Sequence, residues 1–63
     1  MLEQEQVRQR YLFFLGNCGT KQNWIAKKTD IPDYILSKYK LGKTELLNSS
    51  LRNLDKFLVE QGY

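Results

Sequence analysis

Apolar residues recur along this chain at helical spacing, and no stretch alternates apolar with polar residues long enough to mark a strand. Val7, Tyr11 and Phe14 fall at i, i+4 and i+7, and Leu12 and Leu15 widen their stripe, which predicts a first helix over Glu3 to Leu15. Acids in its first turn and arginines further on suit the helix macrodipole. Phe13 falls off the stripe. Gly16, Asn17 and Gly19, which tolerate a positive φ, predict its end. Thr20 is set to cap a second helix over Lys21 to Lys28, with Ile25 and Ala26 inward and Lys27 and Lys28 outward and solvated. Thr29-Asp30-Ile31-Pro32 breaks it, because proline disfavours helical geometry at the residue before it and suits the first turn of the next helix. That next helix is predicted over Asp33 to Lys40, with Leu36 and Tyr39 toward the core, and Gly42 is positioned as its stop.

The segment from Lys43 to Ser50 is ambiguous. Thr44 could cap a short helical turn carrying Leu46 and Leu47, and Ser49 or Ser50 could cap a longer helix. Leu47, Leu51, Leu54 and Leu58 also fit one continuous stripe. The favoured reading is a short turn followed by a helix from about Ser49 to Gln61, with Gly62 and Tyr63 frayed. There is no internal repeat. The expectation is an all-α fold: a small bundle of four to five helices, forming one domain over 1–63.

Composition narrows the function. A 63-residue chain buries only about 60% of the surface its unfolded form exposes, too little to enclose a large substrate cleft. There is no histidine, no serine or cysteine paired with a base, no glycine-rich phosphate loop and no usable carboxylate pair, so an enzyme is not expected. Cys18 is the single cysteine, which excludes an internal disulfide and leaves a metal site unfilled; a small buried or half-buried thiol is its expected role. No cofactor or small-molecule ligand is expected. No apolar run approaches the length of a membrane span, and the acidic, glutamine-rich start is unlike a signal peptide, so a cytoplasmic location is expected. The net charge is +3, but residues 21–43 hold six lysines against two aspartates, a local +4, while the flanking segments are near neutral. A localised basic patch suits a polyanionic partner, although a solvated lysine-rich face has the same composition.

Two short helices joined by a tight turn, over roughly Gln22 to Lys40, predict a helix-turn-helix. Close crossing of the two needs a small residue, which Ala26 supplies, and apolar plugs, which Ile25, Ile31, Leu36 and Tyr39 supply. The string Ile25-Ala26-Lys27-Lys28-Thr29-Asp30-Ile31-Pro32-Asp33-Tyr34-Ile35-Leu36-Ser37-Lys38-Tyr39-Lys40-Leu41-Gly42-Lys43 resembles, without a gap, the Cro/repressor family of helix-turn-helix regulators (the XRE family). That family's pattern runs aliphatic-Ala-x-x-Thr-Gly-Ile-Ser, then Ile, Ser, a basic residue, an aliphatic and a closing Gly-Lys. Leu51 to Leu58 resembles its next helix, offset by about three residues, so the likeness covers roughly Gln22 to Leu58. Three departures stand out. Asp30 replaces the usual turn glycine, at a cost of about 1 kcal/mol. Lys21 occupies the usual cap position. The family's fifth helix has no counterpart, so either this is a minimal version or that surface is completed by another subunit or a missing region.

The resemblance implies a lambda-repressor-like fold and sequence-specific binding of double-stranded DNA by a transcription regulator of phage or mobile-element type. Asp33, Tyr34, Ser37 and Lys38 match the outward positions of the recognition helix. Lys38 could donate to guanine O6 and N7, and Tyr34 and Ser37 could contact a base edge or a phosphate. Asp33 either accepts from cytosine N4 or caps the helix. Gln22 matches a phosphate-contacting position, aided by helix N-terminal amides, and Lys40 and Lys43 flank the groove at phosphates. Ile35 is expected to support the core, and Trp24 to pack on the first or last helix. Phe13, Trp24 and Tyr63 together suggest more apolar surface than one small core can hide, and hence a homodimer. The alternative function is a helical protein-interaction module, an inhibitor or assembly factor on the same scaffold, to which Asp33, Ile35 and Trp24 lend weight.

Overall fold

A computed structural model describes residues 3–19 and 21–63. Four helices account for the regular structure among them: α1 (Gln4–Cys18), α2 (Gln22–Thr29), α3 (Asp33–Lys40) and α4 (Asn48–Glu60). The fold is all-α, as the periodicity requires. The helices pack as a ring in which α1 meets α3 and α4, and α2 meets the same two; α3 and α4 lie on opposite sides of the core. Val7, Tyr11 and Phe14 of the α1 stripe are buried, joined by Ile25, Leu36, Tyr39, Leu51, Leu54, Phe57 and Leu58.

The first helix runs a turn longer than Gly16 and Asn17 suggested. A glycine inside a helix costs only about 1 kcal/mol, and the Asn17 side chain donates back to the Phe13 carbonyl at 2.7 Å. The chain leaves the helix at Gly19, where φ is 61° and the backbone N–H bonds the Leu15 carbonyl. This extra turn overshoots the core, which is why Cys18 is exposed rather than buried. Thr20 lies outside the described residues, and the cap residue of α2 is Lys21 rather than Thr20, extended and without a side-chain bond, so that helix begins at Gln22.

The connector after α3 differs from expectation. Residues 44–47 form no helical turn, and α4 begins at Asn48 with extended Leu47 as its cap residue. Leu46 points inward and Leu47 is 77% exposed, so the fourth-helix stripe starts at Leu51. The reason lies in α1. The Gln4 amide pairs with the Leu46 backbone in both directions, Nε2 to the carbonyl at 2.7 Å and Oε1 from the N–H at 3.1 Å. The Tyr39 hydroxyl donates to the Gln4 carbonyl at 2.8 Å. An extended strand-like partner satisfies those groups; a helical turn would occupy them internally.

The chain end is pinned rather than frayed. Gly62 turns at φ 87°, and the Gly62 and Tyr63 amides bond the Val59 and Leu58 carbonyls at 3.0 and 2.8 Å. These are the two bonds that close a helix C-terminus through a left-handed glycine. Arg10 adds a bond from Nε to the Tyr63 carbonyl at 2.8 Å and an ion pair with Asp55. Tyr63 lies between the rings of Phe13 and Phe14 at 5.7 and 5.3 Å, Phe14 meets Phe57 edge-on at 5.5 Å, and Trp24 meets Phe57 at 5.5 Å. Trp24 therefore packs on the last helix. Phe13 remains 65% exposed at the end of this row.

Candidate nucleic-acid interface

The candidate site is built on the turn between α2 and α3. The last residue of α2, Thr29, is buried and donates its hydroxyl to the Ile25 carbonyl at 2.8 Å, so it belongs to the helix and the core rather than to the break. Asp30 then takes the left-handed conformation, φ 59° and ψ 34°, at the position where a glycine would be usual. Aspartate tolerates that region better than most residues with a β-carbon. The Ala26 carbonyl accepts from both the Asp30 and Ile31 amides, which folds the chain back and drives Ile31 into the core at 2% exposure. Pro32 at φ −56° starts α3, its carbonyl accepting from Ile35 and Leu36. Ile25, Leu36 and Tyr39 are buried, and Ala26 and Ile35 are half-buried against the core. Ile35 thus supports the core, as expected.

The second helix of the pair is closed by Gly42 at φ 76°. The Gly42 amide bonds Tyr39 at 3.0 Å and the Lys43 amide bonds Lys38 at 2.9 Å. This ties the Lys43 backbone to the end of α3, while the Lys43 side chain stays exposed. On α3 itself, Asp33, Tyr34 and Lys38 are exposed and Ser37 is half-buried. Successive helical residues are about 100° apart, so Tyr34 and Lys38 share one outward face with Ser37 along its edge, while Asp33, about 140° around the axis from Lys38, lies on the flank. Lys40 does not join them. It sits about 160° around the axis from Lys38 and is half-buried on the flank.

The Gln22 side chain ties the start of α2 to this face. Its Nε2 directs its two hydrogens at Asp33 Oδ1 at 2.7 Å and Ser37 Oγ at 2.8 Å, with the Asp33 carbonyl at 3.1 Å sharing one of them. Its Oε1 receives the Tyr11 hydroxyl at 3.4 Å, a long bond. The Gln22 amide hydrogens are therefore directed at α3, and what it offers a phosphate is its place in the first turn of α2, where backbone amides have no intrahelical partner. Burial pushes the Tyr11 hydroxyl up to about 12, with the Asp33 carboxylate adding to the effect, so Tyr11 stays a neutral donor. No sequence spacing announces this cluster. Residues 11, 22, 33 and 37 meet only because the turn at Asp30 brings the two helix starts together.

The electrostatics follow from which cations are used internally. Among the described residues the two ion pairs, Arg8–Glu5 and Arg10–Asp55, both use arginines of α1. No lysine is in one. Lys21, Lys27, Lys28, Lys38 and Lys43 are exposed, and Lys28 lies over the Trp24 ring at 5.8 Å. The α2–α3 side of the molecule thus keeps its positive charge uncompensated by neighbouring carboxylates, apart from Asp30 and Asp33 themselves. No helix of the described residues is long and apolar enough to cross a membrane. In comparison with known proteins, no family model, no curated protein and no solved structure matches the chain. The functional argument therefore rests on the geometry and charge of the α2–α3 face.

Proposed function

We propose that this chain binds double-stranded DNA by laying α3 in the major groove, in the manner of a helix-turn-helix transcription regulator. The observation that carries the reading is the outward face of α3. It presents exposed Tyr34 and Lys38 beside Ser37 on a helix packed only against α1 and α2, bordered by lysines that, among the described residues, form no ion pair. A groove about 12 Å wide admits a helix of this kind. Lys38 then donates to a base edge, Tyr34 and Ser37 meet a base edge or the backbone, and Lys43, Lys40 and the start of α2 at Gln22 contact phosphates. Phosphate contacts hold and orient the protein; the α3 side chains choose the sequence.

Fluorescence anisotropy of a labelled duplex titrated at several salt concentrations tests this. The logarithm of the affinity should fall with the logarithm of salt at about −0.9 per phosphate neutralised. Lys38→Ala should flatten discrimination between duplexes, and Lys43→Ala should weaken all of them alike. Binding that ignores salt would instead support the second reading, a protein-interaction module. That reading draws on exposed Phe13 beside Tyr63, on the α1–α4 side of the molecule. The same patch motivates a homodimer as part of the proposal. Analytical ultracentrifugation that finds only monomer at high concentration, with and without DNA, would remove it.

A further inference from the structure

The outward face of α3 carries more apolar surface than the reading of a duplex uses. Leu41 ends the helix, and its φ of −86° and ψ of −2° keep it in helical register. Seven positions after Tyr34, it lies about 20° from Tyr34 around the axis and about 10 Å along it, with Lys38 between the two. Tyr34 is 65% exposed and Leu41 is 63% exposed. Leu36 and Tyr39 already fill the core side of the same helix. The outward stripe of Tyr34 and Leu41 is therefore a second apolar face, and none of the other three helices covers it. In a major groove the one apolar group on a base edge is the thymine methyl, and the phosphates that border the groove offer none. Leu41, next to the turn that carries Lys43, thus has no partner in the duplex-binding arrangement.

The charge around this stripe states what kind of partner fits it. Lys38 and Lys43 are exposed, and among the described residues neither forms an ion pair. Two apolar anchors one helical repeat apart, set among unpaired lysines, are the complement of an amphipathic helix whose polar positions are acidic. A second copy of this chain does not supply one. Glu5 of α1 is paired with Arg8 and Asp55 of α4 with Arg10; α2 has no acid, Asp33 lies on the flank of α3, and Glu60 is the one further acid of α4. We infer that the α3 face also takes an acidic amphipathic helix of another protein. That helix seats two apolar residues against Tyr34 and Leu41 and places its carboxylates at Lys38 and Lys43. Peptide and duplex share Tyr34, Lys38 and Lys43, so they exclude one another, and the partner lifts the protein from DNA. This regulatory consequence rests on the duplex-binding reading; the docking of the helix does not.

The test is selection of binders from a displayed library of helical peptides of about 16 residues, long enough to hold helix in water. The whole protein is the bait, and Leu41→Ser is the decoy for counter-selection. Enriched peptides should carry an excess of Asp and Glu with apolar residues at i, i+4 and i+7. The commonest of them is then titrated by fluorescence anisotropy against the unaltered protein, Leu41→Ser and Leu41→Gln, each first checked for cooperative melting. Both substitutions should weaken the peptide about tenfold and leave duplex affinity unchanged. The peptide should also displace a labelled duplex from the unaltered protein. Enriched peptides that are neutral or basic, that bind both Leu41 variants as tightly, or that bind together with the duplex overturn the inference while duplex binding stands. If acidic, Leu41-dependent peptides are enriched but no duplex binds, the docking stands and the duplex-binding reading fails, with the regulation built on it.

Discussion

Leu47 and Leu46 are neighbours with opposite demands, and one substitution at each tests how α4 begins. Leu47 is the cap residue of α4, extended at φ −63° and ψ 156°, and it supplies no side-chain bond to the free amides of the first turn. It is 77% exposed, so replacing it forfeits only about 0.5 kcal/mol of burial. A good cap side chain contributes about 1 kcal/mol over an apolar one, and a negative charge at a helix start adds roughly 0.3–1 kcal/mol. Leu47→Asp should therefore stabilise the protein by about 1 kcal/mol. For a domain this small the melting temperature should rise by roughly 4–8 °C, read by circular dichroism at 222 nm. The gain matters because a chain of 63 residues has a total stability on the order of 3–9 kcal/mol. Leu46 is 5% exposed, and Leu46→Asp should destabilise by roughly 3 kcal/mol or more, through lost burial and a carboxylate taken out of water. If Leu47→Asp lowered the melting temperature, or both variants moved it the same way, the start of α4 at Asn48 and the extended connector would be wrong.

Two other measurements address the turn and the core. Asp30→Ala should cost about 1 kcal/mol, because alanine has a β-carbon and none of aspartate's tolerance for φ 59°. Asp30→Gly should melt at or slightly above the unaltered protein, and Asp30→Asn should show whether charge contributes. At alkaline pH, Tyr11 and Tyr39 are both pushed by burial from 10.0 up to about 12. Their anions are disfavoured in the fold, so the unfolded chain loses those protons first. Stability should be intact below about pH 10 and fall as pH rises toward about 12. Melting temperatures across that range, with tyrosinate absorbance recorded in parallel, check it; tyrosinate forming fully near pH 10 without unfolding would contradict it.

The sequence carried the architecture because its signals are local. The stripe of Val7, Tyr11 and Phe14 needs only the helical period, and the boundaries of α3 follow from Pro32 and Gly42. The left-handed turn at Asp30 was likewise readable, from residue type and position. What stayed hidden depends on distant partners. The extended connector exists because Gln4, 42 residues away, pairs with the Leu46 backbone. Tyr63 is held because Arg10, 53 residues away, reaches its carbonyl. At the candidate interface, Asp33, Tyr34, Ser37 and Lys38 were expected from the family resemblance, and the helical period accounts for Tyr34, Ser37 and Lys38 among them. The Gln22 amide bound to Asp33 and Ser37 could not be read from either, since it needs both the turn and a rotamer. Lys40 shows the limit of reading charge alone: it lies within the basic segment, but the helical turn carries it to the flank of α3.

The most direct test of the central claim is to map backbone amide chemical shifts in the labelled protein while duplex DNA is added. Binding through α3 predicts changes clustered at Gln22, Asp33 to Lys38 and Lys43, with Arg52 to Glu60 of α4 left in place. Shifts concentrated instead around Phe13 and Tyr63, or no shift at all at low salt, would contradict a groove-reading role for this face.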